Sequence, residues 1–348
     1  MTSAQDPVRL AILGCGAITR CAHLPVIAAH PQVRLVALVD ADEERARALA
    51  SLHGSKYKVA RNHREVLPEV DAVINALPNH LHVPVSMECL RAGVHVLCEK
   101  PLAATAAEAR VCCELARERG LVLAVGMNRR FEASVDLLSL ALTEGLLGQL
   151  PEYDWQYGSP YEWNTASGFY FSRSEAGGGV LLDYGVHMLD SLMHWFGPVT
   201  DFDYQDDNLG SGIEANVIMA LRHSGKFGEV QGQVRLSRTF KLRNTLVVRG
   251  GAARAEITLE DPSALVLYRS LGGQEVSMTL RMPGRATAPG LASFHRQLEN
   301  FVESIKATTK PRVDGWQALA VTELVQRCYE RARRLPEPWS EAPTAVAS

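Results

Sequence analysis

The stretch Val8–Leu13, VRLAIL, runs directly into Gly14-Cys15-Gly16-Ala17-Ile18-Thr19. A short apolar run followed by two closely spaced glycines predicts a buried strand, a tight turn and then a helix. Gly14 permits the turn, and Gly16 lets a phosphate approach the backbone amides at the start of the helix. Thr19 stands where a third glycine is usual, which we expect to loosen the packing of the helix on the strand. The stretch predicts a dinucleotide-binding turn.

Four further apolar runs in the first third of the chain have the same character. Each run is continuous rather than alternating, as expected of strands in a parallel sheet that is covered by helices on both faces. The runs lie at residues 33–39, 72–77, 94–98 and 121–126. Helical stretches at residues 43–52, 83–92 and 106–118 separate them. This alternation predicts a doubly wound α/β domain with right-handed crossovers.

The pattern changes after about Asn128. Polar and apolar side chains alternate along residues 229–236, which is typical of strands with one solvated face. The other predicted elements are a strand at residues 152–157 and helices at residues 133–144, 180–195, 291–307 and 316–333. We therefore predict an antiparallel sheet with helices on one side. The predicted domains are a nucleotide-binding domain, residues 1–128, and a second, α+β domain, residues 129–348.

Asp40 ends the second predicted strand, about 20 residues after the glycine turn, where a carboxylate accepts hydrogen bonds from a ribose 2′-hydroxyl. Such a carboxylate repels a 2′-phosphate, and the next residues, Ala41 and Asp42, include no arginine to neutralise one. We therefore predict NAD rather than NADP as the coenzyme. Asp42 itself is predicted to cap the following helix.

Composition and charge limit the classes of function. The chain has 348 residues and a formal net charge of -3, which does not favour a nucleic acid or an anionic membrane as a partner. Its apolar runs are far shorter than the roughly 20 residues of a membrane helix, and its first residues show no secretion signal. Seven cysteines without a CxxC pair fit neither a disulfide framework nor a zinc ribbon. We predict a cytoplasmic protein with reduced thiols.

Four further motifs resemble those of one family. They are Leu77-Pro78-Asn79-His80-Leu81-His82, Cys98-Glu99-Lys100-Pro101-Leu102, Asn128-Arg129-Arg130-Phe131 and Gly177-Gly178-Gly179-Val180-Leu181-Leu182-Asp183-Tyr184-Gly185-Val186-His187. In this order after a glycine turn they are similar to the Gfo/Idh/MocA oxidoreductases, such as glucose–fructose oxidoreductase and the inositol dehydrogenases. The resemblance covers nearly the whole chain. It implies a Rossmann domain, an open-faced, mainly antiparallel α+β domain for substrate binding and oligomerisation, and a site in the cleft between them.

The resemblance implies that Lys100, Asp183 and His187 are the catalytic residues. Removal of a hydride from an alcohol carbon requires a base for the hydroxyl proton and a group that stabilises charge on the oxygen. Asp183 and His187 are four residues apart on a predicted helix and share a face, where a carboxylate keeps an imidazole basic. Lys100 follows a buried strand at its C-terminal end, where ligands of open α/β sheets bind. Asp190 and His194 repeat the spacing, and only the resemblance excludes them.

Without the resemblance, simpler interpretations stay open. Lys100 would then be a solvated side chain before Pro101, and Asp183 with His187 a pair on a helix surface. Asp183, His187 and His194 would also suit zinc by residue type, but hydride transfer with nicotinamide requires no metal, and we predict no metal site.

The remaining candidates would line the coenzyme or the substrate. The predicted coenzyme-binding residues are Gly14, Gly16, Ala17, Ile18, Asp40, Leu77, Pro78, Asn79, His82, Glu99 and Lys100. The predicted substrate-binding residues are Asn128, Arg130, Trp163, Asn164 and Tyr170. Aromatic faces suit the C–H surface of a sugar, although Trp155, Tyr157, Trp163 and Tyr170 would serve equally well as core. His82 would serve equally well at a helix start. For Arg130 and Arg173 we favour surface ion pairs over an anionic substrate.

The sequence thus predicts an NAD(P)-dependent dehydrogenase or reductase that acts on a sugar, a cyclitol or a related polyol or keto sugar. An NAD-retaining redox glycosidase or lyase would need the same residues. A nucleotide-binding regulator without catalysis would not need an acid–base set. We expect the open face of the second sheet to be a large apolar surface, which predicts a homodimer or homotetramer through that face.

Overall fold

The computed structural model describes residues 6–52, 57–149, 152–160, 176–208, 213–282 and 290–336. Contacts divide these residues into two units. Within the described ranges, the first unit comprises residues 6–132, 176–177 and 290–323. The second unit comprises residues 133–160, 178–282 and 324–336. The division into functional domains at 1–128 and 129–348 stays a prediction.

The apolar runs of the first unit form a parallel sheet. Its strands are β1 (Val8–Leu13), β2 (Val33–Val39), β3 (Lys58–Ala60), β4 (Ala72–Asn75), β5 (His95–Cys98) and β6 (Leu123–Val125). In the described part of the chain these six strands are ordered β3-β2-β1-β4-β5-β6, the order of the Rossmann fold. The predicted doubly wound domain is confirmed. Only β3 was missed, since a three-residue strand at a sheet edge carries too short a pattern to recognise.

Helices cover this sheet and complete its core. They are α1 (Leu24–Ala28), α2 (Glu43–Leu52), α3 (His82–Arg91) and α4 (Ala106–Arg119). The core of the unit joins Leu10 and Ile12 of β1 with Leu38 of β2. Leu298 and Phe301, from far along the sequence, belong to the same core. Burial of these side chains, each worth about 1.5–3 kcal/mol, holds the strand that leads into the glycine turn.

The second unit is built on a larger, mixed sheet. Its strands are β7 (Glu152–Gly158), β8 (Val199–Asp206), β9 (Asn216–Gly225), β10 (Gly228–Ser237), β11 (Thr245–Arg249), β12 (Arg254–Thr258), β13 (Ala264–Leu271), β14 (Gln274–Arg281) and β15 (Arg333–Arg334). Across the described ranges they are ordered β14-β13-β12-β11-β7-β10-β9-β8-β15. The β7–β10 and β8–β15 pairs are parallel and the other pairs antiparallel. The predicted, mainly antiparallel sheet is confirmed.

The later helices differ from the prediction by a turn before one helix and by the end of the last helix, which lies at Glu330 instead of residue 333. They are α5 (Ala133–Thr143), α6 (Val186–Phe196), α7 (Ala292–Ala307) and α8 (Gly315–Glu330). The sequence predicts one continuous helix over residues 180–195, whereas Leu181–Gly185 forms a π-helical turn before α6. A period of 3.6 residues over a short apolar run does not reveal a single wider turn.

The prediction of an apolar open face on the second sheet is wrong. Along β10, Val230, Val234 and Leu236 are buried, while Glu229, Gln231 and Gln233 lie on the opposite face and are exposed. Neighbouring strands add polar side chains to the same face, Arg222 on β9 and Glu152 on β7, both exposed. The polar positions of the alternating pattern that predicted this strand are the ones that form the open face. Oligomerisation stays a prediction, without burial of apolar surface as its reason.

Two further observations concern the chain as a whole. Among the described residues we find no helix with the length and apolar character of a membrane span. The seven cysteines are free thiols, and only Cys21 is exposed. Burial raises the pKa of Cys112 to about 12, so this thiol is protonated at neutral pH.

Candidate active site

Gly14 lets the chain turn at the carboxyl end of β1. Its φ is +98°, a conformation that glycine alone adopts without strain. A Cβ at this position would overlap the carbonyl oxygen of Ala76, in the loop that follows β4. A Cβ on Gly16 would meet nothing within 4 Å. The fold therefore requires the first glycine, whereas the second leaves open space beside the helix start, where backbone amides can bind an anion.

Thr19 tightens the turn that it was expected to loosen. Its side chain is fully buried, and its Oγ1 donates a hydrogen bond of 2.6 Å to the carbonyl oxygen of Gly14. The expectation of loose packing is wrong. Without a third glycine the helix is held to the turn by the hydrogen bond of the Thr19 hydroxyl. Ala17 and Ile18 lie between Gly16 and this residue and are partly buried. A π-helical turn, Thr19–His23, follows, and such turns are frequent at functional sites.

Asp40 closes the glycine turn from the end of β2. Its Oδ2 accepts a hydrogen bond from the amide of Cys15 at 2.8 Å, and its Oδ1 accepts one from the amide of Asp42 at 2.9 Å. The structure thus brings Asp40 and the turn together and gives the carboxylate a role in holding the loop. Asp42 accepts a bond from the amide of Arg45 at 3.3 Å, which confirms the predicted helix cap. A contact of Asp40 with ribose stays a prediction.

Arg45 corrects the prediction that no arginine lies beside Asp40. Its guanidinium is 3.5 Å from Oδ1 of Asp40 and 3.4 Å from Oδ2 of Asp42. Arg45 is not adjacent to Asp40 in the sequence, but the first turn of α2 brings its guanidinium back over both carboxylates. The positive charge of Arg45 is therefore shared between two carboxylates at this end of the sheet.

The loop after β4 lies at the same edge of the sheet as the glycine turn, because Asn75 pairs in parallel with Leu13. Leu77, Pro78 and Asn79 follow and are partly buried. The Nδ2 of Asn79 donates a hydrogen bond of 2.8 Å to the carbonyl oxygen of Ala176. This edge is where open α/β sheets bind their ligands.

His82 is buried inside the first unit. Its Nδ1 lies 2.6 Å from the carbonyl oxygen of Pro101, and its Nε2 lies 2.8 Å from that of Leu77. Burial lowers the pKa of His82, and the two carbonyl groups oppose this shift without cancelling it. The ring links the loops after β4 and β5, which excludes the interpretation of a solvated histidine at a helix start. Its contact with the coenzyme stays a prediction.

Glu99 and Lys100 follow β5 at the same edge of the sheet. The Oε1 of Glu99 lies 2.8 Å from Nε2 of the buried His23, and its Oε2 accepts a bond from the amide of Lys100 at 3.2 Å. Burial favours a higher pKa for Glu99, but the bond and charge of His23 and the charge and amide of Lys100 together lower it. A Cβ on Gly126 would lie 2.8 Å from Oε2 of Glu99. The glycine therefore makes room for a carboxylate beside the predicted catalytic lysine.

Asp183 and His187 belong to the second unit. Asp183 lies in the π-helical turn, and its Oδ2 accepts a hydrogen bond of 2.6 Å from Nη2 of Arg238. His187 lies in the first turn of α6 with only 6% of its surface exposed. Its ring forms a T-shaped pair with that of Tyr184, with ring centroids 6.1 Å apart. The interpretation of these two residues as a surface pair is wrong, because His187 is buried.

The second pair with the same spacing has different surroundings. Asp190 is buried, whereas His194 is exposed, with its Nε2 3.5 Å from Oγ of Ser139. Among the residues that the structure describes, no group of three or more His, Cys, Asp or Glu side chains is arranged to hold a metal ion.

The structure places the predicted substrate residues in different surroundings, and their contact with a substrate stays a prediction. Asn128 donates a hydrogen bond of 3.3 Å to Oγ of Ser293. Arg130 is 3% exposed, so its interpretation as a surface ion pair is wrong. Trp155 is core, packed at an angle against Trp195, and Tyr157 is partly buried and stacks on Tyr184. Trp163, Asn164, Tyr170 and Arg173 lie outside the described residues.

Three partners of the carboxylates in these sites were not predicted from the sequence, Arg45, His23 and Arg238. Arg45 carried a local signal, because residues three apart on a helix are neighbours and Asp42 starts that helix. The other two carried none. His23 is 76 residues from Glu99, and Arg238 is 55 residues from Asp183, so only the folded chain brings the partners together.

Two family models match this chain. One, described as an oxidoreductase family with an NAD-binding Rossmann fold, spans residues 8–127. The other, described as a GFO/IDH/MocA C-terminal domain, spans residues 137–256. The chain belongs to the Gfo/Idh/MocA oxidoreductase family. The resemblance drawn from the motifs is confirmed.

A curated relative and two solved structures are similar to this member of the family. D-glucoside 3-dehydrogenase from Escherichia coli K12 is 34% identical over 203 residues, 57% of this chain and 56% of that protein. The chain thus spans little more than half the length of the curated relative. Levoglucosan dehydrogenase in complex with NADH and L-sorbose is 20% identical, with a TM-score of 0.85 over 94% of this chain and 97% of the other. The 3-ketoreductase KijD10 from Actinomadura kijaniata, in complex with NADP and TDP-benzene, is 22% identical, with a TM-score of 0.79 over 96% and 100%. At these identities the two structures establish the fold.

The two glycines of the turn should respond differently to alanine. Gly14→Ala forces a strained φ and an overlap with Ala76, so it should lower the free energy of unfolding by about 2 kcal/mol or more. Gly16→Ala meets no neighbour, so it should keep the melting temperature of the wild type and weaken NADH binding about tenfold or more. Thermal unfolding and fluorescence titration with NADH measure both effects. Equal losses of stability in the two variants would contradict the assignment.

Proposed function

We propose that this chain is an NAD(P)-dependent oxidoreductase that transfers a hydride between nicotinamide and a sugar, a cyclitol or a related polyol or keto sugar. The observation that carries the proposal is the glycine turn closed by Asp40, in a chain that belongs to an NAD-binding oxidoreductase family. The open space at Gly16 fits a pyrophosphate group against the backbone amides. A relative named D-glucoside 3-dehydrogenase supports a sugar as the substrate class.

The protein residues bind the coenzyme and orient it. Each oxygen of Asp40 accepts one backbone hydrogen bond and keeps a further lone pair for a ribose hydroxyl. Pro78 and Asn79 follow β4 at the same edge of the sheet, where they would contact the nicotinamide ribose. When bound, the coenzyme supplies the redox chemistry by accepting or returning a hydride.

Lys100, Asp183 and His187 are the residues that we assign to proton transfer. His187 takes the proton of the reacting hydroxyl group during oxidation and returns it during reduction. The ammonium group of Lys100 donates a hydrogen bond to the reacting oxygen and stabilises the negative charge that develops there. Arg238 fixes the orientation of the Asp183 carboxylate, which in turn orients the acid–base group.

The charges around Asp40 favour NAD as the coenzyme. Arg45 is one cation shared by the carboxylates of Asp40 and Asp42, so the three side chains keep a net negative charge. A 2′-phosphate would add about two further negative charges at the same place. The similar structures contain NADH in one case and NADP in the other, so the choice depends on the charges of this chain.

Substitution of Arg45 should weaken the binding of NADP more than the binding of NAD. We expect the wild type to bind NAD more tightly than NADP. Arg45→Ala should weaken NADP about tenfold, because one compensating charge is lost, and change NAD by less than about twofold. Arg47→Ala is the control, since Arg47 lies on the same helix and pairs with Glu43 at 2.7 Å. Titration of both coenzymes into the three proteins measures this. Tighter binding of NADP by the wild type would show that the interpretation of Asp40 is wrong.

The activity itself is tested by absorbance at 340 nm with NAD and a panel of sugars and cyclitols. The wild type should form NADH with at least one of them. Lys100→Met should keep NAD binding and lower kcat by about 10²-fold or more, the usual scale for a lost charge-stabilising group. Lys58→Met, which removes a surface pair with Glu69, should leave kcat unchanged. Unchanged turnover in Lys100→Met would remove Lys100 from the mechanism.

Substitutions of His187 and His194 distinguish the proposed base from the second histidine that follows an aspartate by four residues. His194 lies about 10 Å further along the helix axis, at 1.5 Å per residue. His187→Ala should abolish the dependence of kcat/KM on an ionisation near neutral pH. His194→Ala should keep that dependence, since this side chain is exposed. Profiles of kcat/KM against pH on one substrate decide between them, and the opposite pattern would reverse the assignment.

A further inference from the structure

Glu214 is a fully buried carboxylate that lies against the start of the segment that carries Asp183. Its Oε2 accepts a hydrogen bond from the amide of Gly179, and its Oε1 accepts one from the amide of Leu181, both at 2.9 Å. Its own carbonyl oxygen accepts a third from the amide of Val180, also at 2.9 Å. One residue therefore binds three consecutive amides just where the π-helical turn begins.

Tyr329 completes this cluster. Its hydroxyl donates a hydrogen bond of 3.0 Å to Oε1 of Glu214. A Cβ on Gly179 would overlap the backbone of Glu214, and a Cβ on Gly178 would overlap the hydroxyl of Tyr329. The glycines of the family motif thus make room for a buried carboxylate and a tyrosine. Glu214 and Tyr329 are far from the glycine run in the sequence, so the motif alone does not reveal them.

The cluster is connected directly to Asp183. The amide of Gly179 is bound to Glu214, and the carbonyl oxygen of the same residue accepts a bond of 3.0 Å from the amide of Asp183. The three groups that contact the carboxylate all donate hydrogen bonds, and the start of a helix favours negative charge. Burial raises the pKa of Glu214, and the hydrogen bonds from Leu181, Tyr329 and Gly179 oppose this shift.

We propose that Glu214, supported by Tyr329, is a positioning residue that fixes the backbone of residues 179–183 and thereby the Asp183 carboxylate and the His187 ring. This inference rests on the proposed acid–base roles of Asp183 and His187. A role in stability alone would make the cluster equivalent to any other buried hydrogen bond of the second unit. The two possibilities differ in what happens to catalysis and to local backbone motion when the cluster is altered.

Glutamine is the sharpest substitution, because it keeps the size of the side chain. Each oxygen of Glu214 accepts a bond from a backbone amide, so either orientation of a glutamine places its NH2 group against an N–H donor. Glu214→Gln should therefore release one end of the turn. Tyr329→Phe removes only one of the donors and should have a smaller effect of the same kind. The control is Tyr153→Phe, which removes a buried hydroxyl bonded to His223 at 2.8 Å in the same sheet.

The experiment compares the wild type and the three variants as full-length chains. Hydrogen–deuterium exchange of the peptide that contains residues 179–187 should be accelerated in Glu214→Gln, less so in Tyr329→Phe, and unchanged in Tyr153→Phe. On a substrate that the wild type oxidises, Glu214→Gln should lower kcat by about 10²-fold, the scale for a misplaced catalytic group. It should also shift the ionisation seen in kcat/KM, while KM for NAD stays within about twofold.

The outcomes are distinguishable. Exchange at residues 179–187 that is equal in Glu214→Gln and Tyr153→Phe would overturn the proposal, whatever the activity. Accelerated exchange with an unchanged kcat and pH profile would overturn it too, since the backbone would then not position the acid–base groups. If Glu214→Gln does not fold, Tyr329→Phe carries the same two tests. If the wild type neither oxidises nor reduces any of the substrates, the proposed function is contradicted instead. The exchange data would still decide whether Glu214 holds the turn.

Discussion

A carboxylate removed from water must receive hydrogen bonds, and in this chain backbone amides supply some of them at three of the segments to which we assign a function. Asp40 is bound to the amide of Cys15, Glu99 to the amide of Lys100, and Glu214 to the amide of Gly179. Leaving such a group unsatisfied would cost several kcal/mol. These hydrogen bonds therefore restrain the backbone at Cys15, Lys100 and Gly179. The predicted coenzyme turn, the predicted lysine and the predicted acid–base helix share one structural device.

Glycine is the residue that makes this device possible, and it acts in two ways. Gly126 and Gly179 are crowded, because a Cβ would overlap the carboxylate of Glu99 or the backbone of Glu214. Gly16 faces open space instead. Crowded glycines are required by the protein itself, whereas an open glycine in a turn is available to a ligand. The fold thus requires glycine at the crowded positions, whereas at Gly16 it leaves space that we propose a ligand occupies, and the sequence alone does not distinguish the two cases.

Local patterns were sufficient for most of the fold. Continuous apolar runs predicted the strands on both sides of β1, and alternation predicted strands such as β10, because burial of side chains imposes these periods wherever a sheet has a core. Interactions between distant residues could not be predicted in this way. His23, Arg238 and Glu214 have no neighbours in the sequence that reveal their partners. Thr19 was misjudged for a related reason, since a motif based on glycine does not state that a hydroxyl can close the same turn by a hydrogen bond.

Transfer of deuterium from a substrate to the coenzyme is the most direct measurement of hydride transfer by this chain. The full-length protein would be incubated with NAD and a sugar that is deuterated at its carbinol carbons, and the coenzyme would be analysed by mass spectrometry. We expect NADH that carries one deuterium atom taken from the sugar. Coenzyme that is bound by the protein but acquires no deuterium from any sugar or cyclitol would contradict the proposed oxidoreductase.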